Sequence, residues 1–198
     1  MMRTTFELRK LFPLFVTFAV MFTASASAQD YLANNTVLIV RHAEKPPEAT
    51  GQTGLTEAGR HRAEAYVKYF RPFREDGMSL RISALYAGAD SASSIRPRLT
   101  LEPLSKASGM PLDSTISTKD PGSLLTFLRT QRHGDTPLIC WRHGQIPALL
   151  TAFGIAPDSL LPAGKWPDDV YDWVLVLHFD DHGRLKSQKL VHETLQVQ

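Results

Sequence analysis

Two Arg-His pairs, Arg41-His42 and Arg142-His143, have the side chains in this sequence that are best suited to chemistry. Arginine presents planar donors that match phosphate oxygens, and a neutral histidine nitrogen can attack phosphorus to form a covalent intermediate. A second histidine can donate a hydrogen bond to the phosphoryl oxygens as charge shifts in the transition state. Two such pairs around one point therefore suit a phosphoryl group.

Each pair follows an apolar run with the character of a buried strand. Val37–Val40 contains no polar residue, and Thr136–Trp141 is nearly as apolar. Such runs are typical of strands buried on both faces, as in a parallel sheet. Because parallel strands end at one edge, where open α/β sheets bind ligands, we expect the two pairs to meet there. The alternative is a strand that simply leaves the core and meets two polar residues.

The other elements alternate between helix and strand. The predicted elements are a helix from Thr56 to Pro72, a strand at 82–87, a helix from Asp90 or Ser91 to Leu104, a weak extended segment at 110–116, a helix after Asp120, a short helix ending at Phe153, and a hairpin of 170–179 with 185–192. This order predicts a three-layer α/β sandwich. Its mostly parallel central sheet is flanked by helices and closed by a C-terminal antiparallel hairpin.

Residues 1–28 have the layout of a secretory signal peptide. A basic start leads into the largely apolar run Leu11–Phe22, and small residues stand at Ala26 and Ala28. The apolar run is short for a membrane span, so we expect cleavage after Ala28 and a periplasmic or secreted protein. An uncleaved anchor is the alternative. Residues 29–198 then form a single domain.

Charge and cysteine content exclude several classes of function. The chain has 22 Lys and Arg against 20 Asp and Glu, and removal of residues 1–28 leaves 19 of each. A neutral chain lacks the basic field of a nucleic-acid or anionic-membrane binder. The single cysteine, Cys140, cannot form an internal disulfide, and its apolar surroundings predict a buried thiol. No group of ligand-type residues has metal-binding spacing, so neither a metal nor a cofactor is expected.

Four sequence blocks resemble the histidine phosphatase superfamily, the phosphoglycerate-mutase-like proteins. The blocks are Arg41-His42-Ala43, Leu55-Thr56-Glu57-Ala58-Gly59-Arg60-His61-Arg62-Ala63, Arg96-Pro97-Arg98-Leu99-Thr100-Leu101-Glu102-Pro103-Leu104, and His143-Gly144-Gln145-Ile146. They stand in the family's order, and together they are specific although each is weak alone. The compact stretch 108–119 lacks the acidic insertion of the mutases, so the resemblance implies the small phosphatase branch.

The resemblance also implies a role for each matched position. His42 would be the nucleophile that becomes phosphohistidine, and His143 would complete the pocket. Arg41 and Arg96 would bind the phosphoryl oxygens. The implied activity is phosphomonoester hydrolysis, with a phosphorylated small molecule or a phosphoprotein as substrate. A pH optimum below neutral follows, because the nucleophile must be neutral while the proton donor must be protonated.

The third block departs from the family in one respect. Arg96 is preferred to Arg98 as the second phosphate ligand because only Arg96 has the four-residue spacing to Thr100. The family often has Ser-Pro four residues before this arginine, whereas here that position is Ala92 in a Ser-rich loop. The departure concerns the geometry of the loop and not the arginine.

The proton donor is not fixed by the matched blocks. The resemblance implies an acidic residue in the variable loop between the second arginine and the second histidine, where Asp120 is the best-placed candidate. Its alternative role is to cap a helix that begins at Pro121. Glu44, next to the nucleophile block, is the rival, and Asp113 is a third candidate.

The competing function is a catalytically silent module of the same fold that binds a phosphorylated ligand. The lack of an evident proton donor favours this module. The presence of His42 favours the enzyme, because a binding protein needs arginines and does not need a nucleophile.

Overall fold

The computed structural model describes residues 29–195, so the predicted signal peptide lies outside the described residues. The strands are β1 (Thr36–Arg41), β2 (Phe73–Glu75), β3 (Met78–Leu80), β4 (Ala84–Ala87), β5 (Leu112–Asp113), β6 (Pro137–Trp141), β7 (Trp173–Phe179) and β8 (Leu185–His192). The α-helices are α1 (Glu57–Tyr69), α2 (Arg96–Ser108), α3 (Pro121–Thr130) and α4 (Ile146–Ala152). Short 3-10 turns lie at Glu48–Thr50, His143–Gln145, Pro157–Ser159 and Pro162–Gly164.

Six of the strands form one sheet in the order β5-β4-β6-β1-β7-β8. Neighbours from β5 to β1 run parallel, whereas β7 is antiparallel to both β1 and β8. The predicted α/β architecture with a mostly parallel sheet and a C-terminal antiparallel hairpin is therefore confirmed. Val174 near the start of β7 pairs with Val40, so the chain enters β7 at the edge where β1 ends.

Strand β1 is apolar from Val37 to Val40 because both of its faces are buried. Val37 and Ile39 belong to the core that contains the buried residues of α3 and α4. Leu38 and Val40 belong to the core that contains those of α1 and α2. Burial of one such side chain contributes about 1.5–3 kcal/mol, so β1 is firmly held between the helical layers. The loop that follows β1 therefore starts from a rigid support.

Two local predictions were wrong. Helix α2 begins at Arg96 rather than at Asp90 or Ser91, because the Ser-rich segment forms a turn in which the amide of Ser91 donates to the carbonyl of Ser94. The sequence reading also missed the β2–β3 hairpin. Its three-residue strands are too short to show a period of two, although Asp76-Gly77 at the turn is a hairpin signal.

The structure also bears on the expectations about membrane spans, the cysteine and metal ligands. No helix within residues 29–195 is long and apolar enough to cross a membrane. Cys140 is buried, as predicted, and burial raises the pKa of its thiol. One group of ligand-type side chains that the spacing argument did not anticipate lies in the β7–β8 turn, where ligand atoms of Asp180, Asp181 and His182 lie within 4.8 Å of one another. The carboxylate of Asp180 already bonds Arg184.

Candidate active site

Parallel pairing of β1 and β6 brings the two histidines together. Arg41 lies beside Trp141 in the register of the two strands, and the amide of His42 donates to the Trp141 carbonyl at 3.1 Å. The rings of His42 and His143 are 5.6 Å apart between centroids and nearly perpendicular, at 77°. The two Arg-His blocks therefore meet at the carboxyl edge of the sheet, as the strand pattern predicts.

The protonation pattern of His42 is set by a backbone contact. Its Nδ1 lies 2.8 Å from the carbonyl oxygen of Ala43, which can only accept, so the ring proton is on Nδ1. Burial, reinforced by the charge of Arg41, lowers the pKa of His42 to about 3. The side chain is 1% exposed and neutral, and Nε2 carries the lone pair. This is the form in which a histidine can attack phosphorus.

His143 has the opposite tautomer. Nη2 of Arg41 donates to its Nδ1 at 3.2 Å, so the ring hydrogen lies on Nε2. That hydrogen is donated to Oδ1 of Asp168 at 2.6 Å. Burial and the nearby Arg41 lower the pKa of His143 to about 4. One histidine thus offers a lone pair and the other a hydrogen-bond donor.

Arg41 is fully buried and binds the loop before β7. Its Nη1 donates to the carbonyl oxygens of Pro167, Asp168 and Val170 at 2.9, 3.0 and 2.7 Å. The guanidinium carbon lies 3.9 Å from the centre of the Tyr171 ring. Nε is buried without a hydrogen-bond partner in the described part of the chain. Arg41 therefore holds the loop in place and keeps one donor unused.

Arg96 stands at the start of α2 and faces the loop after His42. Its Nε donates to the Gly54 carbonyl at 3.1 Å, and Nη2 donates to that of Gln52 at 2.9 Å. Its charge lies close enough to His42 to help lower the histidine's pKa. Arg98, in contrast, bonds the carboxylate of Asp90 at 2.9 Å at the surface. The structure thus directs only the first of these two arginines to the site.

Thr100 gives a physical reason for the four-residue spacing from Arg96. Its hydroxyl donates to the Arg96 carbonyl one helical turn earlier, at 2.8 Å, and accepts the amide hydrogen of Ala43 at 2.9 Å. The Thr side chain is fully buried. It therefore joins the first turn of α2 to the backbone immediately after His42.

The Leu-Thr-x-x-Gly block packs α1 onto the same loop. The amide of Thr56 donates to the Glu44 carbonyl at 3.0 Å, and its hydroxyl caps α1 by accepting from the Gly59 amide at 3.0 Å. A Cβ at Gly59 would lie 2.5 Å from the same Glu44 carbonyl oxygen. Only glycine allows this approach of helix and loop.

A buried ionic network supports this loop from behind. Arg62 donates to Glu44 at 2.9–3.2 Å and also bonds Glu193, which accepts the hydroxyl of Tyr66 at 2.6 Å. Burial raises the pKa of Glu193 to about 7. The C-terminal segment is thereby linked to the residue two positions after the nucleophile.

The carboxylates proposed from the sequence as proton donors have other partners. The third candidate, Asp113, accepts the amide and hydroxyl hydrogens of Thr115 at 2.9 and 2.7 Å, and the first two are likewise engaged. Asp120 caps α3, accepting the amide and hydroxyl hydrogens of Ser123 at 3.1 and 2.7 Å. Glu44 is directed to Arg62. Neither makes a hydrogen bond with a pocket histidine within residues 29–195. The role of Asp120 as donor stays a prediction.

The sequence reading missed Asp168 as a site residue. Its side chain is 80% exposed, and among the described residues it is the carboxylate that contacts a pocket histidine. A signal was available in the topology: if the first strand of the C-terminal hairpin pairs antiparallel with β1, the residues before it must arrive at the edge of the sheet that holds His42 and His143. The hairpin was predicted, but its neighbour in the sheet was not.

The mouth of the site is rich in positive charge. Nη1 of Arg142 lies 3.5 Å from Oγ of Ser93, and its charge, after burial, contributes to a lowered pKa of Arg96. Lys45 pairs with the exposed Glu48 at 2.9 Å. Cations held close to one another favour an anionic ligand.

Comparison with protein-family models and with curated proteins gives no match. Among solved structures, the chain is similar to a candidate phosphohistidine phosphatase SixA from Agrobacterium tumefaciens, with a TM-score of 0.52 and 22% identity over 78% of this chain and 97% of that one. It is similar to the protein histidine phosphatase SixA complexed with tungstate, with a TM-score of 0.50 and 14% identity over 77% and 95%. It is also similar to a phosphoserine phosphatase variant from Entamoeba histolytica in complex with phosphoserine. That comparison has a TM-score of 0.51 and 13% identity, and it covers 78% of this chain and 96% of that one.

These likenesses show the fold. The similarity extends over nearly the whole length of each of these three structures. The predicted α/β fold is therefore confirmed as one that this chain shares with these phosphatase structures.

Proposed function

We propose that this protein hydrolyses phosphomonoesters through a phosphohistidine intermediate on His42. The proposal rests on one observation above all: His42 is buried and neutral, and its proton is held on Nδ1 by a backbone carbonyl, which leaves the lone pair on Nε2. Arg96 and the Nε2 hydrogen of His143 supply donors for phosphoryl oxygens beside it. The fold shared with phosphatases supports the same reaction.

The proposed reaction has two steps. Nε2 of His42 attacks phosphorus, the ester P–O bond breaks, and its electron pair leaves with the alcohol oxygen, which takes up a proton. Water then attacks the phosphohistidine, the N–P bond breaks, and inorganic phosphate leaves. Arg96 and His143 hold the phosphoryl oxygens in both steps, and the unused Nε of Arg41 is a further donor.

Replacement of the nucleophile tests the proposal. His42→Ala should lower kcat/KM for p-nitrophenyl phosphate by at least about a thousandfold, as loss of a nucleophile does in other covalent enzymes. His182→Ala, in the exposed β7–β8 turn, is the matched control and should leave activity unchanged. A residual activity of His42→Ala close to that of the wild type would refute the proposal.

Covalent labelling separates the enzyme from the silent binding module. After incubation with a radiolabelled phosphoryl donor and an alkaline quench, which preserves the N–P bond, the wild type should retain label and His42→Ala should not. Phosphate binding without label or turnover would instead establish the binding module.

We also propose that the protein acts in the periplasm or outside the cell, after removal of residues 1–28. The basic, apolar and small-residue segments in that order support this location. Leu32, four residues after Ala28, already belongs to the buried core. N-terminal sequencing of protein from the periplasmic or medium fraction should begin at Gln29. Recovery of the uncleaved chain in membranes would contradict it.

A further inference from the structure

We infer that Asp168 is the residue that gives a proton to the leaving oxygen, a role that rests on the proposed phosphohistidine reaction. Asp168 is the described carboxylate that contacts a pocket histidine, with Oδ1 2.6 Å from Nε2 of His143. The other candidates from the sequence, Asp120 and Glu44, are engaged by Ser123 and Arg62. The geometry therefore offers a different donor from the one that sequence position favours.

The backbone of Asp168 is held more firmly than its exposed side chain suggests. Its own carbonyl and those of Pro167 and Val170 accept hydrogen bonds from the buried guanidinium of Arg41. Nε1 of Trp166 donates to the same Val170 carbonyl at 2.9 Å. A loop fixed by these four contacts keeps the carboxylate next to the pocket when its side chain moves.

Asp168 and a substrate compete for one hydrogen. The carboxylate accepts from Nε2 of His143, which is the donor that a phosphoryl oxygen would use in the proposed reaction. A bound phosphoryl group therefore displaces the carboxylate from His143, while the main chain stays bonded to Arg41. The displaced carboxyl group remains beside the phosphoryl group, at the side open to solvent, from which an alcohol can leave and a proton can be replaced.

Charge determines the protonation state of the displaced group. The charged or titratable groups around Asp168 are Arg41, His143 and Glu48, each of which interacts with it electrostatically. His143 is neutral and the positive charge of Arg41 favours the carboxylate, whereas a doubly negative phosphoryl group bound beside it acts in the opposite direction. Like charges repel, and this favours the protonated carboxyl.

Asp168 supplies the proton that the first step needs and takes one back in the second. As Nε2 of His42 forms the N–P bond and the ester P–O bond breaks, the protonated carboxyl of Asp168 transfers its proton to the departing oxygen. In the second step the resulting carboxylate takes a proton from the attacking water as the N–P bond breaks. Inorganic phosphate leaves and Asp168 is protonated again.

Asp168→Asn tests the inference because asparagine keeps the acceptor oxygen for His143 but carries no transferable proton. The measured quantity is kcat/KM, which reports the step that forms phosphohistidine. Glycerol phosphate, whose alkoxide needs a proton, should lose about a hundredfold or more, within the usual range of general acid catalysis. Dinitrophenyl phosphate, whose phenolate leaves unprotonated, should change less than about tenfold.

Two further variants complete the experiment. Asp169→Asn makes the same charge change at the exposed neighbour in the loop and should change neither substrate. Asp120→Asn, which preserves a cap on α3, tests the rival donor. The inference is overturned if the leaving-group-dependent loss follows Asp120→Asn, or if Asp168→Asn affects both substrates equally or neither. Failure of the proposed function itself would differ, since the wild type would then turn over neither ester and His42 would carry no label.

Discussion

Arg41 and His143 are joined by a hydrogen bond of 3.2 Å from Nη2 to Nδ1. Because a guanidinium cannot accept, this contact fixes the ring hydrogen of His143 on Nε2, where it faces Asp168. The same guanidinium binds the carbonyls of the loop that carries Asp168. One buried side chain thus sets both the tautomer of a pocket histidine and the position of the carboxylate beside it.

Arg41→Lys should lower kcat strongly and change KM little. Lysine cannot bond Nδ1 of His143 and three loop carbonyls at once, so both His143 and Asp168 lose their orientation. Misplacement of catalytic groups by about 1 Å can cost about a hundredfold in rate. Steady-state kinetics on an aryl phosphate gives both constants.

Arg96→Lys provides the matched comparison. It keeps the charge near the site but loses the planar donors, so it should raise KM by about tenfold with a smaller effect on kcat. The reverse pattern, with KM affected mainly in Arg41→Lys, would show that Arg41 acts chiefly by binding the phosphoryl group through its unused Nε and not by positioning His143 and Asp168.

His42 should stay neutral far into the acid range. The pKa of His42 is about 3 and that of His143 about 4, both below the ordinary value of 6.5. Activity should therefore persist at about pH 5, where an unperturbed histidine is largely protonated. Nitrogen NMR of the imidazole rings, assigned with His42→Asn, checks this directly. A His42 ring that titrates near 6.5 would contradict the structure.

The same pKa values predict how these two histidines affect folding. A lowered pKa means that the unfolded chain binds more protons than the folded one between about pH 3 and 6.5. Their contribution to stability is therefore full above 6.5 and is lost as the pH falls. The free energy of unfolding of the wild type, relative to that of a His42→Asn, His143→Asn double variant, should therefore decrease as the pH falls through that range.

Glu193 should act in the opposite direction. Its pKa is raised from 4.5 to about 7 by burial, so the folded chain holds this proton more tightly than the unfolded one. The contribution to stability is greatest below 4.5 and is lost as the pH rises through 7. Urea unfolding should show that the free energy of unfolding of Glu193→Gln, relative to that of the wild type, is higher at about pH 8 than at about pH 5. An equal pH dependence of both proteins would contradict the prediction.

Gly59→Ala should destabilise the protein by about 1–3 kcal/mol, the usual cost of forcing atoms into a filled space. The added Cβ would stand 2.5 Å from the Glu44 carbonyl, and the loop after His42 would have to move, so activity should fall as well. Gly122→Ala, in the first turn of α3, is the control, since its added Cβ would lie 3.8 Å from Oδ1 of Asp120, an ordinary contact distance. Thermal unfolding measures the stability of both variants. Equal stability would show that the close approach of Gly59 to the Glu44 carbonyl does not limit the side chain at this position.

Strands β1 and β6 and their common edge were predictable because a strand buried on both faces requires an apolar run. β1 and β6 are unbroken apolar runs, and the basic pairs that follow them identified the edge of the sheet. Arg96 was found by its spacing to Thr100, which the structure explains as one helical turn closed by a hydroxyl. Local signals of this kind depend on residues close together in sequence.

Contacts between distant segments could not be predicted in this way. The guanidinium of Arg41 donates to backbone carbonyls 126 to 129 residues later in the chain. Every residue has such a carbonyl, so the sequence does not indicate which of them an arginine will bind. Asp168 looked like one more acidic residue in a Pro-containing loop, because its importance comes from which strand β7 pairs with. The sequence order alone could not place Asp168 beside His143, because position along the chain does not measure distance in space.

Because β1 is synthesised long before β7, the pairing of these two strands determines when the pocket can form. The Arg41-His42 segment leaves the ribosome early. Val170, which accepts a hydrogen bond from Arg41, lies 129 residues after it, and Glu193, which binds Arg62, lies 131 residues after that arginine. Contacts of such long range form late in folding because a large loop must close first. A nascent or truncated chain therefore carries the Arg-His block without an assembled pocket, which forms only when the C-terminal hairpin docks.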